Sequence, residues 1–328
     1  MKLVTYETRD GALRLGALLD ADGPSARVVD LAGAGAALSE GGGDAGAGSA
    51  SALSSIQSLL DAGEEGLDAA RRALAFVQEQ GPDAASSLSL PAAQARLRAP
   101  IPRPGKVLAL AGNYEAHRSE GGVKSPLSDK AVPEVFCKPV TAVIGPDDPI
   151  LLPGPPVVAV DYEGELGVVI GRRCSRASAS DALQYVAGYL CVNDVSGRKL
   201  DPGFERDPEI LDRAKYFDWL IGKWCDTFSP IGPWLTTADE VPDWRALHLE
   251  TWVNGERRQE TLAGEMIHSV ERTIAWCSAL MTLVPGDVIA TGTPAGVGSA
   301  SGKLLREGDV VEVRIGGLGV LRNPVGSV

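Results

Sequence analysis

The run Val160-Asp161-Tyr162-Glu163-Gly164-Glu165-Leu166-Gly167-Val168-Val169-Ile170-Gly171 constrains the chain more than any other stretch. Val168, Val169 and Ile170 supply β-branched bulk and Gly171 closes the run, so a β-strand is expected. Side chains alternate across a strand, which puts Glu163 and Glu165 on one face and Tyr162, Leu166, Val168 and Ile170 on the other, facing a core. Two neighbouring carboxylates repel unless a cation sits between them, and hard divalent ions prefer carboxylate oxygens. A third acid, Asp194, ends the next apolar run, Tyr185 to Asp194, where a side chain can reach a neighbouring strand. Three oxygen ligands with positions left open describe a catalytic metal site. An exposed strand edge with solvated glutamates is the alternative reading of the same spacing.

Composition narrows the class. The chain has 328 residues, 44% hydrophobic and 23% charged, which suits a globular protein with a substantial core. A formal net charge of −12 argues against nucleic acid as the main partner. No apolar stretch approaches a membrane span, so no membrane partner is expected, and Met1 to Tyr6 reads as a strand. Cys137, Cys174, Cys191, Cys225 and Cys277 are odd in number, scattered and without a CxxC pair. That argues against a disulfide framework or a zinc–thiolate site and fits a reducing, cytoplasmic location. Cys191 and Cys277 lie in apolar runs and read as core.

Along the chain, Leu3–Tyr6 and Leu13–Leu18 flank an Asp10-Gly11 turn, Asp20–Pro24 makes the next turn, and Arg27–Leu31 is a third short strand. Gly41–Ser49 is low in complexity; Ile56, Leu59 and Leu60 share a helical face, and Ala69–Gln80 is rich in helix formers. These elements predict a small N-terminal α/β domain over 1–103, ending in the proline-rich Ala99–Gly105, followed by a larger domain over 104–328. In the second, Lys106–Gly112 is a strand, and His117 and Glu120 follow at a spacing that makes them neighbours on a helical turn. A carboxylate beside an imidazole prepares it as a general base; a surface histidine in a polar turn is the alternative. Lys138 interrupts the apolar Val135–Pro139, either snorkelling at an edge or pointing into a site. His248, on the polar side of a strand, and His268, in a helix over Met266–Leu280, read as structural. Glu312–Ile315 and Leu321–Asn323 close the chain as strands.

The motifs occur in a fixed order: Asn113-Tyr114 with His117-x-x-Glu120, Phe136-x-Lys138-Pro139, Asp161-Tyr162-Glu163-x-Glu165-Leu166, and Asn193-Asp194-Val195-Ser196-x-Arg198. After them come Gly222-Lys223-Trp224, Val253-Asn254-Gly255-Glu256 and Thr291-Gly292-Thr293-Pro294. This series resembles the fumarylacetoacetate hydrolase superfamily over about residues 104 to 326. The resemblance implies an α+β fold, a mixed β-sandwich roll with a small N-terminal domain, and a homodimer as is common in relatives. It implies Glu163, Glu165 and Asp194 as ligands of Mg²⁺ or Mn²⁺, with Ca²⁺ as a further option. It implies His117, Glu120 and Lys223 as catalytic, and Lys138, Arg198 and Thr293 as substrate-binding.

The expected reaction is metal-dependent hydrolysis of a C–C bond in a 1,3-diketo acid of the acylpyruvate or fumarylpyruvate type, a small anionic oxo acid of the kind met in aromatic catabolism. Decarboxylation of oxaloacetate and isomerisation of a ring-cleavage dienoate use the same parts, and a catalytically silent small-acid-binding protein is a third reading. Where relatives carry an acid, an aromatic and a glutamine after Arg198, this chain has Lys199-Leu200-Asp201 and then inserts Pro202–Glu209 before a helix expected near Ile210 to Leu220, an insertion region of 201–215. Lys199 either favours a second substrate carboxylate or faces solvent.

Overall fold

The computed structural model describes residues 1–328 except 22, 24, 47, 81–85, 123–130 and 206–210. The fold is α+β, built on a 12-stranded mixed sheet, a five-stranded sheet and a two-stranded ribbon. At the middle of the large sheet lies Gly164–Ile170, buried at every residue. It pairs antiparallel with Val186–Asn193 on one side and with Val288–Ala290 on the other. Val107–Ala111 extends the sheet in parallel with Val288–Ala290, and Glu134–Lys138 forms its edge. A strand covered on both faces reads as a continuous apolar run rather than an alternation, as the Leu166–Ile170 segment does.

Two cores account for that burial. On one face Val169, Leu190 and Val192 meet the helices Leu31–Glu40 and Gly63–Glu79 through Leu31, Ala34, Ala69, Ala73 and Val77. On the other, Leu166, Val168 and Ile170 pack with Leu108, Leu110 and the helix Val270–Leu280, and with Leu249, Val313 and Ile315 of the five-stranded sheet. The first strand, Lys2–Glu7, pairs antiparallel with Leu13–Leu19 across the expected turn and also with Ser229–Thr237, so the large sheet runs across the 103/104 position.

The Val160–Gly171 run is not one strand. It divides into Val157–Asp161, which pairs with Ser196–Leu200, and Gly164–Ile170. The reason is local. The Tyr162 N–H is taken by the Asp161 carboxylate at 2.9 Å and the Glu163 N–H by the Asn193 side chain at 3.0 Å, so neither joins a ladder. A second difference concerns His268: the helix begins at Val270 behind the N-cap Ser269, leaving His268 buried in the preceding turn. The 201–215 insertion lies partly outside the described residues, and the helix after it spans Leu211–Ile221. No helix among the described residues is long and apolar enough to cross a membrane.

Leu166 is fully buried in the central strand. Leu166→Ala is expected to lower the unfolding free energy by about 2–5 kcal/mol. A urea titration would register this as a lower midpoint at unchanged slope.

Candidate active site

Register brings the acids together. Gly164 lies opposite Asn193, and the Asp194 N–H donates to the Glu163 carbonyl at 2.8 Å, so the ends of the two strands are locked side by side. Ligand oxygens of Glu163, Glu165 and Asp194 all fall within 4.8 Å of one another, and each residue is buried. The cations expected near a substrate are here too. Lys138 is buried with its ammonium on Asp194 Oδ1 and on the Val195 carbonyl at 3.1 Å. Lys223 donates to Asp194 Oδ2 at 2.6 Å and to Glu163 Oε2 at 2.7 Å. Arg198 pairs with Glu163 Oε1 at 2.6 Å through Nη2 and with Asp161 Oδ2 at 2.8 Å through Nε.

These contacts form one chain of alternating charge: Lys138, Asp194, Lys223, Glu163, Arg198, Asp161. Its formal charges sum to zero. The charges tune one another as Coulomb's law requires. Burial pushes Glu163 up, but Lys223 and Arg198 outweigh it and hold the carboxyl far below the usual range. Burial pulls Lys223 down, and Asp194 and Glu163 reverse that. Lys138 stays lowered, because burial together with Lys223 exceeds the pull of Asp194.

Glu165 stands outside this chain. Its Oε2 accepts the Gly292 N–H at 2.7 Å, while its Oε1 is buried without a hydrogen-bond partner. Burial, then Asp194 and Glu163, raise its pKa well above the ordinary value. A buried carboxylate with an orphaned oxygen and two anionic neighbours lacks a cation. The donor set is all carboxylate oxygen, which suits a hard divalent ion, and a carboxylate oxygen that accepts from an ammonium keeps a lone pair for a metal. The residues fit such an ion.

The loop after Val288–Ala290 runs along the same edge. Thr291 donates to the Leu166 carbonyl at 2.9 Å through Oγ1, and Thr293 Oγ1 donates to the Gly164 carbonyl at 3.0 Å. Gly292 has φ +96°, and a Cβ there would lie 2.6 Å from the Asn113 side chain, so the turn that aims its N–H at Glu165 needs glycine. The Thr293 hydroxyl also accepts from Gln259 at 2.8 Å, which ties it into the scaffold.

His117 and Glu120 lie on the short helix Glu115–Glu120, Nδ1 to Oε1 at 2.8 Å, both about four-fifths covered. Glu120 is fixed from behind by the Gly296 N–H, at 2.9 and 3.1 Å to its two oxygens. Because a carboxylate only accepts, Nδ1 carries a proton, and in the neutral ring Nε2 is the nitrogen that presents a lone pair.

Three residues outside the expected set complete the architecture. Asp161 is fully buried and accepts from the Gly298 and Ser299 N–H groups at 2.7 and 2.8 Å. Gln259 accepts from the Gly164 N–H at 3.0 Å and donates to Thr293 and to the Pro294 carbonyl. Asn113 bridges the His268 backbone and the Thr291 carbonyl. Asp161 and Asn113 stand inside the recognised motifs, and Gln259 is a polar residue at an inward position of the strand Glu256–Leu262. His248 is exposed and meets Glu260 at 3.1 Å on the surface, where Arg257 pairs with both Glu250 and Glu260.

Residues 106–326 match the fumarylacetoacetate (FAA) hydrolase C-terminal domain. The chain belongs to the fumarylacetoacetate hydrolase family. It is 38% identical over 269 residues to the mitochondrial oxaloacetate tautomerase Fahd2a of Rattus norvegicus, covering 81% of this chain and 78% of the relative. The maleylpyruvate hydrolase of Sphingobium sp. SYK-6, solved with manganese(II) and pyruvate, superposes with a TM-score of 0.70 at 30% identity, over 100% of this chain and 99% of that one. A 2-hydroxyhepta-2,4-diene-1,7-dioate isomerase from Mycobacterium marinum gives a TM-score of 0.68 at 30% identity, over 100% and 98%. The family thus holds hydrolase, isomerase and tautomerase members on one fold.

A ligand must shed its proton to bind metal, and burial with like charge holds that proton on Glu165 above the ordinary carboxylate range. Mn²⁺ affinity is therefore expected to fall as pH drops through that raised range, with proton release on binding. Calorimetric titrations in two buffers of different ionisation enthalpy would show the release, and Glu165→Ala should abolish both it and Mn²⁺ binding.

Proposed function

We propose that this chain hydrolyses a C–C bond in a small 1,3-diketo acid of the acylpyruvate or fumarylpyruvate type. The observation that carries the reading is the His117–Glu120 pair, oriented at 2.8 Å and still partly open to solvent, beside the buried carboxylate cluster. Water can reach this imidazole, and Nε2 is left to take its proton. A divalent ion held by Glu163, Glu165 and Asp194 would supply Lewis-acid polarisation of the oxo-acid oxygens.

His117 Nε2 removes a proton from water, and the hydroxide attacks the carbonyl distal to the substrate carboxylate. The C–C bond breaks, one fragment leaves as a carboxylic acid, and the bonding electrons pass to the 2-oxo acid fragment as its enolate. His117 then returns the proton to carbon. Glu120, anchored by Gly296, stabilises the imidazolium between the two transfers. Lys223 spends two of its three N–H donors on Glu163 and Asp194 and lies 5.3 Å from the centre of the Phe136 ring, so its buried charge would act on developing negative charge through the field. The charge chain is neutral and Glu165 adds −1, so a divalent ion would bring the carboxylate cluster to +1, and the Glu120 carboxylate beside it would return the site as a whole to neutrality before substrate enters.

A second reading is tautomerisation of a 2-oxo dicarboxylate such as oxaloacetate, in which His117 takes its proton from carbon in place of water. The relative named as an oxaloacetate tautomerase favours it, being 38% identical where the hydrolase structure is 30% identical.

The purified chain with Mn²⁺ would be offered acylpyruvates, fumarylpyruvate and oxaloacetate, following diketo absorbance, enol absorbance and CO₂ separately. Cleavage of the diketo acids is expected. Accelerated enol–keto exchange of oxaloacetate without cleavage would assign the tautomerase, and CO₂ release a decarboxylase. His117→Ala should lower kcat by about 10²–10⁴ while leaving the Mn²⁺ dissociation constant within about twofold; Glu120→Gln should follow it in kcat, since the amide stabilises no imidazolium.

A further inference from the structure

Asp161 takes part in none of the proposed chemistry, yet it is fully buried and accepts from Tyr162 N, Gly298 N, Ser299 N and Arg198 Nε at 2.7–2.9 Å. It terminates the charge chain. Beyond it Arg198 touches Glu163 Oε1 at 2.6 Å, and Glu163 is one of the clustered carboxylates. The full positive charge of Arg198 therefore lies against a ligand oxygen, and Asp161 is the anion on its other side.

We propose that Asp161 is a positioning residue that sets the divalent-metal affinity of the Glu163–Glu165–Asp194 cluster through charge, by neutralising Arg198 at a distance from the cluster itself. The inference rests on the reading of that cluster as the metal site. With Asp161 ionised the chain sums to zero. Without its charge the chain carries +1, centred where a cation must approach, and affinity falls. Removal of the Arg198 charge leaves −1 and affinity rises. Removal of both restores zero. These opposed signs separate charge from support: a residue that merely holds the Val297–Ser299 turn would weaken binding whenever it is changed, whatever stands at 198.

The test uses the full-length chain, stripped by chelator and titrated with Mn²⁺ by calorimetry, with thermal melts confirming that each variant is folded. Asp161→Asn keeps Oδ1 for Tyr162 and Gly298, gives up the Oδ2 acceptor of Ser299 N and Arg198 Nε together with the charge, and should weaken Mn²⁺ binding about tenfold, the scale of residues that support metal ligands. Arg198→Gln should tighten it severalfold, and Asp161→Asn combined with Arg198→Gln should return to within about threefold of the parent. Asp161→Asn with Arg198→Lys, which keeps the cation, should remain weak. Equal weakening in Asp161→Asn and in the Gln double variant would overturn the inference, as would unchanged affinity in all of them. Should Asp161→Asn not fold, Arg198→Gln decides alone: binding no tighter than the parent overturns it. A parent chain that binds no Mn²⁺, or binds it equally after Glu165→Ala, would overturn the metal reading and this inference together.

Discussion

Everything at the centre of this protein depends on keeping many charged groups out of water at once. Lys138, Lys223 and Arg198 alternate with Asp194, Glu163 and Asp161, each in direct contact with the next. Any one of them alone in a core would be too costly to hold ionised. In alternation each cation offsets the desolvation of the acid beside it, and backbone N–H groups at Asp161 supply the remaining partners. Glu165 is the carboxylate this arrangement does not serve, so the electrostatic deficit is focused on a single oxygen, Oε1. The site is poised for one more cation because its other carboxylates already have theirs.

This changes the meaning of the basic residues. From sequence, Lys138, Lys223 and Arg198 suggest hooks for an anionic substrate. In the structure many of their donors are already committed to acids of the same chain, whose charges cancel theirs, and what they retain is a few remaining N–H groups. Few directed contacts are thereby left to single out one small acid. That is consistent with hydrolase, isomerase and tautomerase chemistries occurring on this fold.

Much of the fold and of the candidate site was legible because it follows from local rules. The Asp10-Gly11 hairpin, the helix face of Ile56, Leu59 and Leu60, and the His117–Glu120 pair depend on neighbours within a few residues. The acids at 163, 165 and 194 were legible because an apolar run tolerates such residues only with a partner. The break at Tyr162–Glu163 was not, because it arises from side chains of Asp161 and Asn193 competing for backbone N–H groups, one of them 30 positions away. The start of the Val270 helix turned on whether Ser269 or an earlier residue provides the cap, and Asn113, distant in sequence, holds His268 out of it. The charge chain was invisible for the same reason: its links join residues 29 to 60 apart, and no spacing rule reports them.

The loop Thr291–Pro294 meets the strand Gly164–Leu166 through contacts spanning 125 to 129 positions, and Gln259 closes the same junction from a third segment. Non-local closures of this kind raise contact order and come late, since their entropy must be met before they reward the chain. Glu165 therefore meets Glu163 and Asp194 through the pairing of two adjacent strands, and its Gly292 N–H arrives only with the distant loop. An ion held by the three carboxylates with the loop docked behind Glu165 would favour the folded chain over the unfolded one. Such an ion would tie the ends of two neighbouring strands to a loop more than 120 positions away, so a single bound atom would couple local pairing to the most distant closure in the site.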